Sequence, residues 1–310
     1  METGQGSRWI PVAAAIGVLI LTGGFVASRY LTSSQAPEGQ VGLPLAQVAT
    51  VTRASYRRVD ASVLAAQHLI DPGTVRPLAG RAFSIERPRE RRPPGDAALF
   101  AKALVPAAGR GDAVASYRLY LIAAECDSAA SPDVVETYRM TRHLLAPDYT
   151  AQLARQLEEC EGLLMDPALS DRRHWLKLSA VQGSPEAALI YAASIEEVIG
   201  GPAQWARHPE QVIAYKRQAM DYLFNGAAQG YVGALSSLSQ AYESGFLTPA
   251  DPVKALAYRW VVQQVDPSPG SEGLAHRLEE GLSVQQRSDA RRQAAVIHEE
   301  CCVNLAGEDR

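Results

Sequence analysis

The stretch Tyr222-Leu223-Phe224-Asn225-Gly226-Ala227-Ala228-Gln229-Gly230 decides how the chain is read. Two other stretches align with it without gaps: Ala103-Leu104-Val105-Pro106-Ala107-Ala108-Gly109-Arg110-Gly111 and Trp175-Leu176-Lys177-Leu178-Ser179-Ala180-Val181-Gln182-Gly183. Each has Leu second, Ala sixth (Ala108, Ala180, Ala227) and Gly ninth (Gly111, Gly183, Gly230). Four residues after each glycine comes another alanine: Ala115, Ala187 and Ala234. A glycine just past a helical run can take positive φ and end the helix. The alanines let successive helices approach closely, and the larger Leu, Trp and Tyr positions fill the groove between them. Stacked helix pairs therefore bury what a single pair could not.

Working outward, Ser131-Pro132, Ser184-Pro185 and Asp251-Pro252 read as helix starts, because Pro loses nothing at the first helical position. Apolar residues recur helically at Ala188, Tyr191, Ala192 and Ile195. No strand pattern is evident after residue 96. The first two glycines stand 72 residues apart, twice a usual repeat of about 36, so a degenerate unit is expected between Gly111 and Gly183. The next interval is 47 residues and implies an insertion near Gly200-Gly201-Pro202.

Residues 219 to 262 resemble the SEL-one-like branch of the tetratricopeptide repeat superfamily. Ala234, Leu238, Tyr242, Gly245, Asp251, Lys254, Ala255 and Trp260 occupy the family's repeat positions, and Ser239 stands where the family has a small glycine. The units ending at Gly111 and Gly183 match only at their second-helix ends. The resemblance implies an all-α solenoid of antiparallel helix pairs that contacts other proteins and performs no catalysis.

The rest of the chain divides into an N-terminal tail and anchor (1–30), a Pro/Arg/Gly-rich linker (31–95), the repeat domain (96–304) and a disordered tail (305–310). Trp9 to Ala27 carries no charge, and nineteen residues span roughly 28 Å, close to a bilayer core. It is expected to be a retained transmembrane anchor, with a cleaved signal peptide as the alternative, and is flanked by Arg8 and by Arg29-Tyr30. Arg8 and Arg29 nearly balance, so charge alone does not orient it. Within the linker, Ala61 to Ile70 suits a short helix before Asp71-Pro72-Gly73, and Arg87 to Pro94 (RPRERRPP) reads as a solvated, semi-stiff tract.

Four cysteines are present. If helices run near 112–127, 132–145 and 148–165, the first and third are parallel and set Cys126 and Cys160 at similar heights. A disulfide between them is expected, with two buried free thiols as the alternative. It would place the repeats in an oxidising compartment: a periplasmic domain on a bacterial inner-membrane anchor. Cys301-Cys302 follow His298 without any metal-ligand spacing and read as incidental thiols at a helix end.

The composition is 47% hydrophobic and 21% charged with a net charge of −4, which excludes a disordered chain and a polybasic nucleic-acid binder. No G-x-S-x-G, S-x-x-K, H-E-x-x-H or phosphate-loop spacing occurs. The six histidines are scattered, and Glu158-Glu159 and Glu196-Glu197 read as solvated helix faces. No cofactor or metal is expected. The leading expectation is a membrane-anchored protein-binding scaffold of the cell envelope. The rival is an envelope enzyme or wall-polymer binder whose cleft is lined by Trp205, Tyr215, Tyr258 and Trp260, and a passive structural spacer is a third reading.

Overall fold

The computed structural model describes residues 58–86, 92–141 and 147–304. The apolar run 9–27, most of the basic tract and the tail 305–310 lie outside the described residues. No described helix is long and apolar enough to cross a membrane.

The body is a succession of helices: α2 (Ala97–Gly109), α3 (Ala113–Ala129), α4 (Pro132–Thr141), α5 (Pro147–Leu164), α6 (Pro167–Ser170), α7 (Arg172–Gln182), α8 (Pro185–Ala193), α9 (Ile195–Val198), α10 (Pro202–Arg207), α11 (Pro209–Ala228), α12 (Val232–Ser244), α13 (Pro252–Val265), α14 (Pro269–Glu280) and α15 (Val284–Cys301). Local chemistry sets their ends. The Asp112, Ser184 and Asp251 side chains accept from the backbone N–H three residues on, and Ser283 with Gln286 closes a capping box at α15. Gly183 and Gly245 end α7 and α12 in the left-handed conformation.

The helices pack as expected for pairs: α3 lies chiefly on α7, α8 on α11, and α12 on α13, while α8 also touches α12. Ala108, Ala115, Ala180, Ala187, Ala227 and Ala234 are all buried in the shared core with Leu176, Leu223, Leu235, Leu238 and Leu256. Burying each leucine is worth about 1.5–3 kcal/mol. Buried hydroxyls tie the pairs together. Ser179 donates to Ala113 O at 2.9 Å, and Ser239 donates to Ala255 O at 2.8 Å. Ser239, the departure from the repeat pattern, thus supplies an interhelical bond that glycine could not.

The 72-residue interval has a different cause from the one expected. Among the described residues no second helix pair packs together between Gly111 and Gly183. Gln182 donates to Ala108 O at 2.8 Å and accepts from Ser116 at 2.6 Å, so α7 completes the unit begun by α3. Segment α4–α6 is an excursion whose one long helix, α5, lies against α2 and α3. The Cys126–Cys160 disulfide joins α3 to α5, with Cα atoms 5.4 Å apart. The shorter 47-residue interval holds the small helices α9 and α10.

Residues 58–86, expected within a linker, are part of the packed body. Helix α1 (Ala61–Ala66) buries Leu64, a one-turn 3-10 segment follows at Pro72–Thr74, and β1 (Val75–Pro77) pairs antiparallel with β2 (Phe83–Ile85). This segment crosses the helix turns as a strap. His68 O accepts from Val114 N, Asp71 pairs with Arg118 at 2.6 Å, and Phe83 N donates to Gly230 O at 3.0 Å. The Phe83 ring stacks on Tyr231 with centroids 5.5 Å apart. Arg81 is 6% exposed, and its guanidinium donates to Glu300 O and Cys301 O at the end of α15 and to Val303 O just past it. A cation there satisfies terminal carbonyls and opposes the helix dipole. Sequence reading missed the strap because its partners are distant along the chain, from a separation of 47 for Asp71 with Arg118 to 220 for Arg81 with Cys301.

Cys301 and Cys302, expected to be incidental thiols, are bonded to each other, and both are buried. Arg81 N–H donates to Cys302 O at 2.8 Å in the same knot.

Candidate functional site

The end of the basic tract is held rather than solvated. Arg92 is almost fully buried; its Nη2 pairs with Glu159 at 2.7 Å, and its Nη1 donates to the backbone carbonyls of Pro93 and Gly95. Gly95 N–H donates to the other Glu159 oxygen at 3.0 Å. The Arg92 bond, and then the Gly95 amide, hold the Glu159 carboxyl below its ordinary value. Glu159 is therefore a receptor for Arg92 and the Gly95 amide, not a solvated face. Glu197 likewise differs from expectation: it pairs with Arg172 at 3.0 Å, and Arg172 also reaches Asp127 at 3.0 Å.

Because Glu159 is depressed in the folded state, its stabilising contribution is complete above the unfolded carboxylate pKa, about 4.3. It fades as pH falls through the lower folded value. Proteolytic cutting around 87–95 is therefore expected to accelerate as pH drops below about 4.3. In Glu159→Gln that acid dependence should flatten, with cutting already fast at neutral pH. An unchanged acid limb in the variant would refute the assignment.

The aromatic residues offered as a cleft are engaged in packing. Tyr215 is buried and donates to Ala192 O at 2.9 Å, and Tyr258 stacks on Tyr242 at 5.9 Å. Trp205 is half-buried and donates to Gly200 O, and Trp260 donates to Glu279 at 2.8 Å beneath Arg291. Tyr191 meets Tyr222 edge-on at 5.1 Å, where burial pushes the Tyr222 hydroxyl up to about 12. Among the described residues no group of three His, Cys, Asp or Glu side chains comes together as metal ligands.

What the helix pairs do open is a groove of about 270 Å³ between α8, α11 and α12. Small residues make its floor: Ala192 and Ala193 end α8, and Ala241 lies on α12. Ser237, Gln240 and Ser244 recur at helical spacing along α12 and face the groove. Phe246 and Leu247, in the turn after Gly245, form one lip. Lys216 of α11 sits 4.6 Å from the Phe246 ring centroid, and Ile213 is exposed one turn earlier. The floor can be flat because alanine repeats at the helix contacts. Tyr215 fixes one edge from below through Ala192 O. The sequence marked the helices but not this face, since Ser and Gln on an amphipathic helix look like any solvated positions.

The arrangement offers apolar floor, one aromatic lip and an uncharged polar row. It suits extended polypeptide, which needs hydrogen-bond partners spaced along a shallow channel.

No family model matches the sequence, and no curated protein matches it. Among solved structures it is similar to a protective antigen of uropathogenic Escherichia coli described as displaying an SLR fold, at 18% identity and a TM-score of 0.28. That match covers 66% of this chain and 49% of the other, so the chain spans about half the length of that protein. The repeat plan stands on the chain's own helix pairs.

Proposed function

We propose that the chain is a non-catalytic repeat scaffold of the bacterial cell envelope that holds an extended segment of a partner protein in the α8–α12 groove. The groove carries this reading: its lining is uncharged, and Phe246 at its lip is exposed to water. The Cys126–Cys160 disulfide supports an oxidising compartment, which for this chain would be the periplasm. The apolar run Trp9–Ala27 would serve as a single-pass inner-membrane tether, raising the effective concentration of membrane partners so that weak contacts suffice.

A photo-crosslinking residue at Gln240, activated in intact cells, tests this. It is expected to capture a discrete protein. Ala193→Trp, at an exposed position on the groove, should reduce that capture at least about tenfold while shifting Tm by no more than about 2 °C. Equal capture with the groove filled would end this reading.

A further inference from the structure

Arg259 of α13 is only 9% exposed, and its Nε is buried without a hydrogen-bond partner. The guanidinium forms no ion pair among the described residues. Burial is the largest influence on it and disfavours its charge; Glu243 of α12 attracts it from beyond bonding range, and Arg277 of α14 repels it. Glu279 of α14 accepts from the Trp260 indole at 2.8 Å and does not act on Arg259. A second buried polar atom without a partner, Ser271 Oγ, lies on α14, which packs on α13.

Such a group is costly. A buried cation needs a carboxylate or several oxygen acceptors, and leaving it without them destabilises the fold. Among the described residues, Arg81 is held by terminal carbonyls, and Arg92, whose Nε is also buried without a partner, is still held by Glu159 through Nη2. Those two are structural. Arg259 has the burial of a structural arginine without the partners.

We propose that Arg259 receives a carboxylate carried by a bound polypeptide, and that its ion pair is completed only on docking. A guanidinium with a buried, unpartnered Nε matches a monoanion with two coplanar oxygens, which it can grip through parallel N–H bonds. Arg277 adds field of the same sign and excludes a cation from the spot. The choice of a polypeptide as the source of that carboxylate rests on the partner-binding reading above. The anion site itself does not.

The test compares the full-length chain with Arg259→Met and Arg259→Lys in sodium acetate, inorganic phosphate and sodium chloride at matched ionic strength. In chloride, Arg259→Met is expected to melt higher than the unsubstituted protein, because an unpaired buried charge is gone. Acetate should raise the Tm of the unsubstituted chain saturably, by about 3 °C at ten times its Kd. It should do nothing for Arg259→Met and at most half as much for Arg259→Lys, which keeps the charge but loses the fork. A lower Tm for Arg259→Met in chloride would make the residue structural and overturn the proposal. So would an acetate response shared by all three proteins. A response to phosphate that exceeds the response to acetate would overturn the polypeptide carboxylate and leave a free-phosphate site. If acetate behaves as expected while the groove captures nothing in cells, the anion site stands and the scaffold reading falls.

Discussion

Replacing Cys126 and Cys160 together by alanine is expected to lower stability by about 3–4 kcal/mol, and Tm by about 10 °C. The bond closes a loop with a sequence separation of 34, and the chain-entropy cost of leaving such a loop open gives that figure. Both positions are fully buried, so alanine avoids the extra penalty of hiding two serine hydroxyls. The loss should also be uneven. Helix α5 is held to the body by the disulfide, by the contact of Gln156 with Glu125 at 3.3 Å, and by the Arg92–Glu159 pair at 2.7 Å. Amide exchange should therefore quicken first across α4–α6, while α12 and α13, packed through Leu235, Leu238 and Leu256, keep their protection. Thermal denaturation with and without a reductant, together with exchange measured by helix, checks both parts. If the reduced protein melts with the oxidised one, the bond contributes nothing and the compartment argued from it loses its support.

Legibility in the sequence followed the range of each interaction. The unit 219–262 shows its plan locally. Tyr242 and Ala255 are buried, Asp251 caps α13, and Lys254 reaches both Asp251 at 3.1 Å and the Tyr242 ring at 5.1 Å. All of these partners lie within about a dozen residues. The disulfide was legible too, because it needed only the lengths of three neighbouring helices. The excursion α4–α6 was not: twice 36 equals 72, and arithmetic alone does not separate a degenerate unit from an insertion. What decides it is Gln182 bonding to Ala108, a pairing across 74 residues that no period encodes. The strap was hidden for the same reason. Arg81 looks like one more cation in a Pro/Arg-rich stretch until the end of α15 is brought against it. Arg259 is hidden differently, since a lone arginine on a helix reads as solvated, and its burial depends on the helices packed on α13, which are α12, α14 and α15.

The repeat glycines allow one further prediction, in which equal sequence positions carry unequal costs. Gly111 and Gly230 are both ninth in their units, and both have positive φ, +98° and +87°. An added Cβ at Gly111 meets nothing within 4 Å. At Gly230 it would lie 2.8 Å from Arg81 O, 3.2 Å from Cys301 O and 3.3 Å from the Ala82 Cα. These are backbone atoms of the strap and of the α15 end, and they cannot swing aside as a side chain could. Gly111→Ala should therefore cost only the left-handed penalty, about 1–2 kcal/mol. Gly230→Ala should cost about 3–5 kcal/mol, because the strap must lift from its seat and expose Phe83 as it does so. Asparagine separates the two contributions, since it tolerates positive φ but carries the same Cβ. Gly111→Asn should be nearly neutral, and Gly230→Asn should remain almost as damaging as alanine. Equilibrium denaturation of the four variants measures this directly. Equal losses at the two positions would mean that the strap does not press on the repeat turn, and that these glycines serve the helix ends alone.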